Sequence, residues 1–85
     1  MVPYYHSSFK RDYGKLPKNV QTRFDERLVI FLQNQFHPLL KNHPLHGAWV
    51  NHRSINITAD VRAIFKLEGA TAIFVAIGTH NKLYE

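Results

Sequence analysis

The chain contains no cysteine, so a disulfide staple and a thiolate metal site are both excluded. Acidic residues are scarce. Six Asp and Glu stand against eleven Lys and Arg, a formal charge of +5 with the six histidines neutral, and the pI is near 9.8. That imbalance favours polyanionic partners: RNA, DNA or an acidic protein segment. Long hydrophobic runs are also missing. The longest near-apolar stretch, Ala70 to Ile77, is far below the ~20 residues that a bilayer span needs. Met1 to His6 has no apolar core of the signal-peptide kind. No glycine-rich phosphate loop and no Gly-x-Ser-x-Gly elbow occurs, which removes nucleotide-hydrolase and serine-hydrolase readings. There is no internal repeat and no low-complexity tract.

What is present fits one small folded unit spanning residues 1–85, cytoplasmic, soluble and without a membrane segment. Hydrophobic residues at 45% and charged residues at 20% are near globular averages and argue against disorder. A chain of 85 residues buries only about 60% of the surface that its unfolded form exposes, so its core is small.

The pattern along the chain predicts the order β-α-α-β-β-β. Val2 to His6, rich in aromatics, reads as a first strand. Ser7 or Ser8 is placed to cap a short helix over Phe9 to Tyr13, with Gly14 available to stop it. Pro17 suits the first turn of a longer helix reaching to about Phe36 and ended by Pro38. Val20, Phe24, Leu28 and Phe31 recur at helical period and draw one apolar stripe, widened by Leu32. Val29 and Ile30 fall on its flanks. Leu39 to Gly47 reads as a loop.

From Trp49 onward the period changes to two. In Arg53 to Thr58, Ile55 and Ile57 alternate with Ser54, Asn56 and Thr58. In Val61 to Leu67, the set Val61, Ala63, Phe65, Leu67 alternates with Arg62, Ile64 and Lys66. Ala59-Asp60 and Glu68-Gly69-Ala70 are tight links. Thr71 to Ile77 is apolar on both faces, as a central strand should be. The last residues, Lys82 to Glu85, read as a short turn. The expected class is α+β: an antiparallel sheet with two N-terminal helices packed on one face. The other face would carry Ser54, Asn56, Thr58, Arg62 and Lys66. Such a face can hold a phosphate backbone, although ordinary solvated sheet surfaces look the same.

Three strings bear a resemblance to a known family. They are His43-Pro44-Leu45-His46-Gly47, the stretch Arg53 to Phe65 with Asp60-Val61-Arg62 between two strands, and Ile77-Gly78-Thr79-His80-Asn81-Lys82-Leu83-Tyr84. Together with the first helix leading into Leu16-Pro17, they resemble the RelE/ParE superfamily of bacterial toxins, nearest its YafQ-type mRNA interferases. The resemblance implies the RelE-like microbial RNase fold, ribosome-dependent cleavage of mRNA, and a cognate antitoxin. It also implies that His43, Asp60, His80 and Tyr84 carry the activity, with Arg62 contacting phosphate. The sequence departs from the YafQ-type pattern at Ser54 and Asn56, where that pattern has Asp and His. Neither residue serves as a general base at neutral pH.

Metal-independent cleavage requires a base for the 2′-OH, cations for the phosphorane and an acid for the leaving 5′-oxygen. Under this reading His80 is the acid or a phosphate contact, and His43 or Asp60 is the base. Arg62 and Arg53 hold the phosphate, and Tyr84 stacks on a splayed base. Asn56, Lys66 and Lys82 join Arg53 as RNA contacts; Val29, Ile30 and Phe36 are candidate antitoxin contacts. Each also has a plainer role: His43 as a loop-locking residue, Asp60 as a turn former, His80 as a cap, Tyr84 as a cover for the sheet edge. His43 and His46 are three apart, but no His-Glu-x-x-His occurs, so neither a metal nor any other cofactor is expected. Two rival readings share the fold: a ParE-like inhibitor of a protein target such as DNA gyrase, and a weakened relative that only binds its antitoxin.

Overall fold

The computed structural model describes residues 1–84. The elements are β1 (Val2–Tyr5), α1 (Ser7–Gly14), α2 (Lys18–Gln33), a 3-10 turn (Pro38–Leu40), β2 (His43–Pro44), a second 3-10 turn (Gly47–Trp49), β3 (Arg53–Asn56), β4 (Val61–Glu68), β5 (Thr71–Thr79) and α3 (His80–Tyr84). The five strands form one sheet in the order β1-β5-β4-β3-β2. The expected α+β class and β-α-α-β-β-β order hold, with β2 and α3 added. The sheet is mixed rather than antiparallel throughout, because β1 runs parallel to β5, from Val2 beside Thr71 to Tyr5 beside Phe74. The helical crossover through α1 and α2 is what makes that parallel pairing possible.

The first helix is not capped by its serines. His6 is the N-cap, and its Nδ1 accepts the Ser8 amide at 3.2 Å. Ser8 instead sends its hydroxyl to the Val75 carbonyl at 2.6 Å, tying α1 to β5. The second helix stops at Gln33, earlier than Pro38 would dictate. Asn34 is extended there, and its side-chain oxygen accepts the Phe36 amide at 3.1 Å, an Asx turn that competes with the helix. The predicted loop from Leu39 to Gly47 contains β2, paired antiparallel with β3 from His43 beside Ser54 to Pro44 beside Arg53. The C-terminal turn is a helical segment, α3.

The core lies between α1, α2 and the sheet. Phe9, Phe24, Phe31, Ile55, Ile57, Val61, Ala63, Phe65, Ala72, Phe74 and Ile77 are all buried in it with Leu40. Phe74 is its hub, with ring centroids 5.5 to 5.9 Å from Tyr5, Phe9, Phe24, Phe31 and Phe65. The stripe on α2 is as read from the sequence, with two corrections. Ile30 packs against the core, whereas Leu32 is exposed. Leu67 is also exposed, although Ala72 opposite it on β5 is buried.

One irregularity decides which side chains meet. Ile64 pairs with Ala76 and Phe65 with Phe74, so Val75 has no residue opposite it. Such a bulge reverses the alternation of the strand beyond it. Ala72, Phe74 and Ile77 therefore share the core face, and Gly78 turns to the opposite one, beside Arg62.

That opposite face is not simply solvated. Ser54, expected on a polar surface, is fully buried, as is Ile64, and Ala76 and Gly78 are buried with them. A covering layer comes from α3: a Cβ built on Gly78 would lie 3.5 Å from Lys82 Cδ and 3.7 Å from Leu83 Cδ2.

Two predictions follow from this packing. Ser8→Ala leaves the Val75 carbonyl without its hydroxyl and should cost about 1 kcal/mol in urea denaturation, whereas Ser7→Ala should stay within about 0.5 kcal/mol. Burial first, and the Asp25 carboxylate second, raise the Tyr5 phenol above its ordinary 10.0. Burial also leads for Tyr13, followed by its hydrogen bond to Asp25. Both phenols favour the neutral form in the folded chain. Their contribution is complete below pH 10.0 and is lost as pH rises through the folded values, so the urea midpoint should fall above that pH, and less steeply in Asp25→Asn.

Candidate active site

On the face of the sheet away from α1 and α2, a cavity of about 520 Å³ is lined by Lys41, His43, Leu45, Asn56, Arg62, His80 and Tyr84. Strand pairing brings these residues together from distant parts of the chain. His43 sits opposite Ser54, Asn56 opposite Arg62, and Arg62 opposite Gly78, two residues before His80. Four of the five residues expected to carry activity, His43, Arg62, His80 and Tyr84, thus share one concavity with Asn56. Among the described residues the lining contains a lysine, an arginine and two imidazoles and no carboxylate, which makes these groups attractive to an anion.

Local structure fixes each group. His43 Nδ1 lies 2.8 Å from the Lys41 carbonyl. A carbonyl only accepts, so Nδ1 carries the proton, and in the neutral ring Nε2 holds the lone pair. Lys41 has φ +47°, a left-handed turn that folds the chain back under His43. Arg62 Nη1 donates to the Thr58 and Val61 carbonyls at 3.0 and 3.2 Å, and Nη2 donates to Ala59 at 3.2 Å. Its Nε–H and one Nη2–H have no protein partner among the described residues and are available to a ligand.

The turn that Arg62 clamps holds His80 in turn, because the Asp60 carbonyl accepts the His80 amide at 2.9 Å. Asp60 itself is exposed, and its side chain is not part of the lining. Its connection to the site is through the backbone. The rings of His80 and Tyr84 are 4.7 Å apart at 60°. Tyr84 places its hydroxyl in a buried position without a hydrogen-bond partner, as does Ser54 beneath the cavity floor.

The remaining expected RNA contacts lie outside the cavity. Arg53 Nε donates to Asn42 Oδ1 at 2.7 Å, with its guanidinium over the Phe36 ring at 5.5 Å. That arrangement fastens the segment after α2 to β3. Lys66 pairs with Glu68 at 3.4 Å, and Lys82 is exposed overall, with its stem against Gly78. Of the three candidate antitoxin contacts, Val29 and Phe36 are exposed and Ile30 is half-buried. Lys41 and Trp49 have no place in the expected site, and Leu45 enters it only as part of the His43 to Gly47 string. Trp49 sends its indole N–H to the Leu83 carbonyl at 3.0 Å, across 34 positions, and so clamps α3 onto the sheet. Among the described residues no three His, Asp or Glu side chains gather as a metal shell requires, and no helix is long and apolar enough to cross a membrane.

Trp49→Phe keeps a ring but removes the clamping N–H. The expected outcome is a loss of about 1 kcal/mol and faster hydrogen exchange across residues 80–84, with exchange in β4 and β5 unchanged.

The fold has known counterparts. Crystal structures of similar shape include YafQ from E. coli strain BL21(DE3), with TM-score 0.83 and 22% identity over 98% of this chain and 97% of that one. A YoeB/ParE toxin from Agrobacterium tumefaciens gives TM-score 0.78 and 20% identity over 94% and 99%. The E. coli DinJ-YafQ toxin-antitoxin complex gives TM-score 0.68 and 27% identity over 98% and 96%. No curated protein matches the chain by sequence. The family model described as the bacterial toxin of type II toxin-antitoxin system, YafQ, matches residues 1–85, so the chain belongs to the YafQ family of toxins.

Proposed function

We propose that this toxin is a ribosome-dependent endoribonuclease that cleaves mRNA without a metal, acts in the cytoplasm and is neutralised by a cognate antitoxin. The observation that carries the reading is the cavity in which two histidines, Arg62 and Tyr84 converge, with no carboxylate among the described lining residues. With Nδ1 committed to the Lys41 carbonyl, His43 offers Nε2 as the base that takes the 2′-OH proton. The oxygen then attacks phosphorus. Arg62, through its two uncommitted N–H groups, and Lys41 stabilise the charge on the phosphorane. His80 donates a proton to the departing 5′-oxygen, leaving a 2′,3′-cyclic phosphate. Tyr84 stacks on the adjacent base, and Asn56 hydrogen-bonds to the same nucleotide. Asp60, with its side chain outside the cavity, serves as the turn that anchors His80 rather than as the base.

This division of labour also accounts for the departures at Ser54 and Asn56. The base comes from β2 rather than β3, so β3 has no need of an ionisable side chain. Arg53, Lys66 and Lys82, outside the cavity, contribute to binding the longer RNA or the ribosome rather than the scissile phosphate. The exposed apolar side chains Val29 and Phe36 are offered to the antitoxin.

Cleavage of mRNA on programmed ribosomes tests the proposal. His80→Ala and His43→Ala should each slow cleavage by about 10²–10⁴-fold, while Asp60→Asn stays near wild type. Cleavage should weaken steeply as salt is raised. Full cleavage by His43→Ala would remove it from the base role. Growth arrest with intact mRNA and damaged DNA would instead point to a gyrase-type target.

A further inference from the structure

On the helix-covered side of the sheet, away from the cavity, a surface recess of about 280 Å³ opens between β1, α1 and α2. It is lined by Tyr5, Phe9, Lys10, Tyr13, Phe24 and Asp25. Its floor is aromatic: Phe9 and Phe24 are 3% and 2% exposed. The Tyr5 and Tyr13 rings lie near-parallel to Phe9, with centroids 5.4 and 6.1 Å away and planes inclined by 28° and 26°. The two tyrosines thus flank the recess as partly exposed walls.

One acid is held at its rim. Tyr13 donates its hydroxyl to Asp25 Oδ1 at 2.9 Å, which fixes the carboxylate against the aromatic wall. Asp12, Glu26 and Glu68 each pair with a Lys or Arg within 3.7 Å, but Asp25 has no such partner among the described residues. Lys10, on the same rim, makes no ion pair with it. A chain carrying +5 therefore presents a preset anionic group beside tyrosine rings. The charge of Asp25 reaches both phenols and helps keep them neutral. Nothing in the cavity across the sheet uses these residues.

We propose that the recess is a docking site for an arginine side chain of a partner protein, its guanidinium on Asp25 and over the tyrosine rings. The chemistry selects this occupant. A phosphate would meet a carboxylate and be repelled, so the recess is not part of an RNA path. A purely apolar side chain would bury Asp25 without a countercharge, which costs free energy. A guanidinium satisfies both features, since its plane stacks on aromatic faces and its fork matches a carboxylate. Lysine meets the charge but not the planar stacking.

The test needs no partner in hand and does not depend on the nuclease reading. The isotope-labelled full chain is titrated with ethylguanidinium, and in parallel with ethylurea, a neutral molecule of nearly the same shape. Saturable amide shifts centred on Tyr5, Tyr13 and Asp25 are expected with ethylguanidinium and not with ethylurea. Asp25→Asn should weaken binding at least fivefold, and Tyr13→Phe should weaken it less, both with the folded spectrum retained. Equal shifts with ethylurea would make the recess an apolar hollow and overturn the proposal. So would unchanged affinity in Asp25→Asn, or shifts that gather at another acid such as Asp60. The wild-type comparison of the two probes decides the matter even if a variant fails to fold.

Discussion

The pairing of β4 with β5, with Val75 left unopposed, is the constraint on which the rest of the molecule depends. A strand of regular alternation would place Ala76 and Gly78 on the same face as Phe74 and send Ile77 to the other. The extra residue reverses that assignment halfway along β5. Ile77 joins the core under the helices, and Gly78 reaches the far face as a site of close approach for α3. Because His80 follows two residues later, the same irregularity sets where its imidazole emerges. The carbonyl of Val75, the residue left unopposed, accepts the Ser8 hydroxyl. The bulge is thus also where α1 is fastened to the sheet.

This arrangement gives the sheet two different covers. One is the aromatic core beneath α1 and α2, where most of the apolar burial lies. The other is a face on which Ser54, Ile64 and Ala76 are buried and α3, tied to Trp49, closes over Gly78. A small chain has little apolar surface to divide between two such layers. The second depends on individual hydrogen bonds as well as on area: Trp49 to Leu83, His80 to Asp60, and Arg62 to the turn before β4. The cavity forms at the margin of this layer, where side chains from β2, β3, β4 and α3 meet.

Charge is divided in the same way. The cavity gathers Lys41 and Arg62 with two imidazoles, with no carboxylate among its described lining residues. The recess on the opposite side places one unpaired carboxylate among tyrosines. Two surfaces of opposite charge preference thus lie on opposite sides of one small basic chain. Arg62 holds the turn that positions His80 while two of its N–H groups have no partner among the described residues.

Much of this was legible in the residue order. The helical period of Val20, Phe24, Leu28 and Phe31 and the twofold period around Ile55, Ile57, Val61, Ala63 and Phe65 determined the elements, because local burial patterns follow backbone geometry. The strings around His43, Arg62 and His80 marked the residues that meet in the cavity. Hidden from the sequence were the features set by contacts between distant segments. An Asx turn at Asn34 ended α2 before its proline, and the parallel docking of β1 made the sheet mixed. The bulge at Val75 moved Gly78, and Ser54 is buried on the face away from the helices. Tertiary structure alone placed Arg53, Lys66, Lys82 and the Asp60 side chain outside the cavity lining. The reason is geometric. Periodicity specifies which face of its own element a side chain occupies, whereas its neighbours depend on strand order, register and bulges, all fixed by pairing with chain far away in sequence.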